Sequence, residues 1–139
     1  MLGLMKTIKL KAVAVGVLID IGGSIAVGLV LGMAIGVVAD LSGDTSPGHL
    51  AALRANFYLK FVGLIGTTFF TGLGGYVAAR WSRPRGLSNA LAVGAVSLFL
   101  GSAFALSAPG VTPIWKLAAG IVLTLPAAFT GGRVAERRA

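Results

Sequence analysis

Of 139 residues, 56% are hydrophobic and only 12% charged. A soluble domain carries about 25% charged residues, so this chain cannot clothe a water-exposed globule and reads as an integral membrane protein. It has no cysteine, which excludes a disulfide framework, a thiolate metal site and a Cys nucleophile, and its net charge of +8 sits at the ends of apolar runs, which points to anionic lipid head groups and not to nucleic acid.

Four apolar runs follow one another, at about 12–39, 57–79, 87–107 and 114–132. Each is near or above the ~20 residues that cross a ~30 Å hydrocarbon core as a helix. The runs are continuous and do not alternate, which favours helices over the strands of a barrel. The fold predicted is all-α: one polytopic membrane domain, a bundle of four transmembrane helices.

The first run has 28 residues, about 42 Å of helix, so it must tilt or protrude. Lys6, Lys9 and Lys11 before it resemble a signal-peptide start, and Ala39 offers a small residue for cleavage. The run is about twice the usual 7–15 residues of a signal core and contains Asp20, so it is read as a retained helix. The loop that follows, 40–56, holds Asp40, Asp44 and the single histidine, His49, without a recognised metal-ligand spacing. Within it Ser46 can cap a helix that starts at Pro47, and Thr112 with Pro113 repeats the arrangement before the fourth run. After the second run, "SRPRG" at 82–86 is a tight basic turn. In the fourth run Pro126 should kink the helix, with Thr124 or water meeting the freed carbonyl.

Lys and Arg are distributed unevenly. Lys6, Lys9, Lys11, Arg80, Arg83, Arg85, Arg133, Arg137 and Arg138 fall on one side of the four spans; Arg54, Lys60 and Lys116 fall on the other. Nine against three places both termini in the cytoplasm, as expected of a multi-pass protein of the bacterial inner membrane. The six arginines are candidates for topology fixing and for contact with anionic lipid head groups. Trp81 and Trp115 then sit where interfacial aromatics belong.

The two halves of the chain echo each other. "GGYVAARW" at 74–81 and "GGRVAERR" at 131–138 share Gly-Gly, a Val-Ala pair and a closing Arg at the same offsets. Two helical hairpins in the same orientation, as in parallel-repeat transporters, is one reading. Convergence is the other, because helix ends attract Pro, Gly and Arg. The spacing differs too: Pro47 to Gly75 is 28 residues and Pro113 to Gly132 is 19.

Twenty-one glycines carry most of the information. Small or polar residues recur every four: Gly16, Asp20, Ser24, Gly28, Gly32 and Gly36 in the first span; Gly63, Thr67, Thr71 and Gly75 in the second; Gly120, Thr124, Ala128 and Gly132 in the fourth. Lipid tails are as apolar as leucine, so helices associate in a membrane through close contact, which small residues permit. A step of four turns ~400°, a drift of ~40° per rung, which suits a right-handed small-xxx-small crossing. The ladders can serve packing within the bundle, packing between subunits, or both.

Asp20 is the one ionisable residue at depth. It lies about 13 Å past Lys11 along the helix, so it must be paired, wetted or protonated. Ser24, Thr67 and Thr71 are among the side chains that could partner it. An isolated intramembrane carboxylate is a candidate proton site; the plain alternative is an interhelical hydrogen bond, worth ~0.6 kcal/mol on average. No Ser-His-Asp, metal or phosphate-loop pattern is present, so neither an enzyme, a cofactor nor a metal is expected.

"GGYVAARWSRPRGLSNALAVGAVSLFLG" (74–101) and "LPAAFTGG" (125–132) resemble a loose group of small bacterial inner-membrane proteins. The likeness covers about the C-terminal half and implies a four-helix fold and no activity. The layout also resembles the small multidrug resistance exporters, whose first span carries an acidic residue that exchanges protons for cationic drugs. Only Asp20 carries over, where that family has Glu; the strong charge bias and the lack of Trp or Tyr in spans one and three depart from its pattern. The function expected is helix packing, as a homo-oligomer or as an accessory subunit of a larger membrane complex. The alternative is a small proton-coupled transporter or channel using Asp20.

Overall fold

The computed structural model describes residues 8–83, 86–107 and 112–137. Lys6, Arg85 and Arg138 lie outside them. The described chain is helical and consists of α1 (Leu10–Leu41), α2 (Pro47–Ala55), α3 (Phe57–Trp81), α4 (Gly86–Ser107) and α5 (Ile114–Arg137). All but α2 are long and apolar enough to cross a membrane, so this is a multi-pass membrane protein.

Local chemistry sets the boundaries. After α1, Gly43 has φ +71°, the left-handed conformation that glycine adopts without penalty, and the chain turns there. Ser46 accepts a hydrogen bond from the His49 amide at 3.3 Å and Pro47 stands at the first helical position, so the capping pattern starts a helix. That helix is not the second span. It stops at Ala55, and Asn56 starts α3 by accepting from the Tyr58 and Leu59 amides at 2.9 and 3.4 Å. The nine residues of α2 equal the difference in spacing between the two echoed halves. In the register of the echoed glycines Asn56 stands where Pro113 does, one residue before its helix, and Ser46–Pro47 does not.

α3 packs against α1, α4 and α5; α1 also touches α4, and α5 touches α4, but α1 and α5 do not meet among the described residues. The core lies toward the end that carries the chain termini. There the buried residues are small, among them Ala12, Gly16, Gly74, Ala78, Ala90, Gly94, Ala128 and Gly132, so backbones lie against backbones. Hydrogen bonds between elements tie this end. The Lys9 amide donates to Asn89 Oδ1 at 2.8 Å, the Leu87 amide to Glu136 Oε1 at 3.1 Å, and Arg83 Nη2 to the Ala135 carbonyl at 3.4 Å. Toward the other end, which carries α2, the helices draw apart.

The α1–α3 seam departs from the ladder expected for it. Gly16 meets Gly74 and Gly23 lies under Phe70. Val27 sits over Gly66, and Leu31 over Gly63. Its positions on α1 are therefore 16, 20, 23, 27 and 31. Steps of four and three hold one face of a helix with 3.6 residues per turn. The steps of four alone leave the seam after Asp20 through their ~40° drift. Gly28, Gly32 and Gly36 have nothing within 4 Å, and neither does Gly120. Bulky residues filling the seam beyond Gly23 also hold the backbones apart there.

The echoed Gly-Gly pairs stand in different surroundings. Gly74 meets Gly16 of α1, whereas Gly131, at the same offset, meets the Gly72 carbonyl of α3. Gly75 meets Ala128 of α5, and Gly132 meets Ala90 of α4. Pro126 lies inside α5. The Thr124 hydroxyl donates to the Gly120 carbonyl at 2.6 Å, so it does not serve the Val122 carbonyl that Pro126 leaves without an amide donor.

Candidate functional site

Asp20 is 5% exposed and lies one turn from the Gly16–Gly74 contact. Missing side chains at both glycines bring α1 and α3 close enough for a short carboxylate to reach across. Its partner is Thr71, whose Oγ1 stands 2.8 Å from Asp20 Oδ1. The same hydroxyl lies 3.1 Å from the Thr67 carbonyl. That carbonyl can only accept. If Asp20 is neutral, it can donate to Thr71 while Thr71 donates to Thr67; if it is ionised, Thr71 can turn its proton to the carboxylate. Both protonation states are therefore hydrogen-bonded.

The other polar candidates disperse. The Thr67 hydroxyl donates to its own helix, to the Leu64 carbonyl at 3.0 Å, and it contributes to the Asp20 cluster only through its backbone. Ser24 lies one turn beyond Asp20 and is partly exposed. Among the described residues no cation pairs with Asp20, and the one ion pair is His49–Asp44 at 3.8 Å, outside the spans. Asp44 Oδ1 also accepts from the Ser46 amide at 2.9 Å, and hydrogen bonding from Ser46 holds its carboxyl below the usual range. Among the described residues no group of His, Cys, Asp or Glu could hold a metal.

The packing glycines divide in two. Gly16, Gly63, Gly75 and Gly132 each have a neighbouring helix where a Cβ would stand. Gly28, Gly32, Gly36 and Gly120 do not. Sequence reasoning missed Gly23, Gly72, Gly74 and Gly131, all at close approaches. The first glycine of each echoed Gly-Gly pair was a visible signal; for Gly23, itself second in the Gly22–Gly23 pair, nothing near it in the chain showed that Phe70 would cover it. Asn89, fully buried, was visible as an amide opening an apolar span.

The arginines cluster at the terminal end. Arg80 Nη1 donates to Tyr76 Oη at 2.7 Å, and the Arg133 guanidinium lies 5.3 Å from the centre of the Phe129 ring. Arg80 and Arg137 stand in the last turns of α3 and α5, where a cation complements the helix dipole. At the opposite end Trp115 packs against Phe57, with ring centres 5.0 Å apart. Against this geometry, no protein-family model, characterised protein or solved structure matches the chain.

Proposed function

We propose that this protein acts by helix association, as a homo-oligomer built on the free face of α1, in a bacterial inner membrane with both termini cytoplasmic. The observation that carries this reading is the divided ladder. Gly16 is consumed by the bundle, whereas Gly28, Gly32 and Gly36 on the same helix meet nothing. No residue from Ser24 to Val38 is buried, and Ile25, Leu29 and Met33 are exposed beside the glycines. Such a stripe lets a second backbone approach closely, which is the main source of helix association in lipid. A second copy supplies the same stripe, so the contact is self-complementary, as a two-fold dimer requires.

In this reading Asp20 is a structural hydrogen-bonding group. It sits in a closed seam with Thr71, and no charged group faces it among the described residues. The terminal arginines hold orientation and meet anionic head groups.

Cysteine cross-linking tests the proposal. Gly32→Cys should give a disulfide-linked dimer in native membranes, and Val30→Cys, exposed at the same depth but about 160° round α1 from Gly32, should not. Gly32→Leu should leave a folded monomer. Monomer at every position would refute the oligomer. Capture of a different protein in place of a second copy would transfer the stripe to a larger complex.

A further inference from the structure

Between α3, α4 and α5, in the half of the bundle where the helices draw apart, lies a cavity of about 170 Å³. Its walls are mostly apolar, with Leu64, Leu98, Phe104 and Ile121 among them. Two polar groups in this lining lack the partner their chemistry demands.

The first is Lys116. It is half-buried, and its Nζ lies 4.0 Å from where a Cβ on Gly63 would stand. Gly63 is six residues into α3 from Phe57, about 9 Å along the axis. The amine is thus turned into the bundle and not out to water, where a lysine near a helix end would normally snorkel. No carboxylate pairs with it among the described residues, and the charge that acts on it is Lys60, of the same sign. The second is Ser97, deeper in the cavity, whose buried Oγ has no hydrogen-bond partner among the described residues. A buried hydroxyl without a partner is costly, and natural structures rarely leave one.

An ammonium beside a second cation calls for an anion, and a buried hydroxyl calls for an acceptor. Among the described residues no acidic side chain lines the cavity. We propose that it binds one anionic glycerophospholipid, with the phosphate on Lys116, an ester carbonyl accepting from Ser97, and alkyl chain along Leu98 and Phe104. A single lipid carries an anion and deeper carbonyl acceptors on one apolar molecule, so it satisfies both groups and the wall together. This site is at the opposite end from the arginine cluster and does not depend on oligomerisation.

The test is native mass spectrometry of the delipidated full chain, titrated separately with phosphatidylglycerol, phosphatidylcholine, oleate and inorganic phosphate. Phosphatidylglycerol should bind most tightly. Lys116→Gln should weaken it roughly tenfold, the scale of one charge-assisted hydrogen bond, and Lys116→Arg should restore it. Ser97→Ala should weaken phosphatidylglycerol and leave oleate, which has no ester, unchanged. Arg137→Gln, at the other end, should leave the Lys116-dependent component intact. Leu98→Trp should weaken binding by filling the cavity, and it serves if Lys116→Gln does not fold. Retention of phosphatidylglycerol that is indifferent to both Lys116→Gln and Leu98→Trp would overturn the proposal. Equal retention of phosphatidylcholine, tighter binding of oleate, or protection by inorganic phosphate alone would overturn it as well.

Discussion

Gly16→Ala and Gly32→Ala add the same methyl group to the same helix and should have opposite effects. At Gly16 the new Cβ would stand 2.7 Å from the Gly74 carbonyl oxygen and 2.6 Å from Val93 Cγ2. Val93 is fully buried, and the carbonyl belongs to α3 itself, so neither can swing aside. Ordinary contact begins near 3.4 Å, so α1 and α3 must part by about 0.7 Å, an overpacking that costs about 1–3 kcal/mol. The parting also stretches the Asp20–Thr71 hydrogen bond one turn away. At Gly32 nothing lies within 4 Å, and alanine gains up to about 1 kcal/mol of helix propensity. On the scale of soluble domains of this size, 1 kcal/mol moves Tm by roughly 4 °C. Thermal unfolding in detergent, at a concentration where the protein is monomeric, should therefore show Gly16→Ala lower by about 4–12 °C and Gly32→Ala level or slightly higher. Equal losses at the two positions would refute the division of the ladder on which the proposed function rests.

Three further outcomes are expected. Asp20→Asn should keep most of the stability in detergent, because an amide can still bond Thr71, whereas Asp20→Leu should lose it; proton-gradient-driven flux in liposomes that vanishes in a stable Asp20→Asn protein would instead support the transporter reading. Cysteines at Ser46 and Ser88, both exposed and on opposite sides of the spans, should label from opposite faces of the membrane, Ser88 from the cytoplasm, and labelling of either from both faces would show dual topology. Asp44, whose carboxyl is held below its usual range by Ser46, supports the start of α2 fully above its unfolded pKa and loses that support as pH falls through the depressed value; amide-exchange protection of Ser46 and His49 should therefore drop below about pH 4, and protection unchanged between pH 7 and pH 3 would contradict this.

Composition and the order of the apolar runs determined that the chain is an all-α membrane protein with four spans. The reason is solvation: a continuous apolar run in lipid must satisfy its backbone internally, and only a helix does so within one segment. The helix start at Ser46–Pro47 was also legible, since capping is a matter of neighbouring residues; α5 instead begins at Ile114, one residue after Pro113. What the helix at Pro47 becomes was not legible, because its end depends on Asn56 serving two helices at once. The small residues announced close packing, but which of them pack was decided by tertiary structure. A repeat of four and a helix of 3.6 residues per turn part company within three rungs, so Gly16 and Asp20 stay in the seam and Gly28 to Gly36 leave it. The partner of Asp20 was likewise open among several hydroxyls. Thr71 takes that place because the Gly16–Gly74 contact sets the height at which α1 and α3 cross, and no property of either residue alone carries that height.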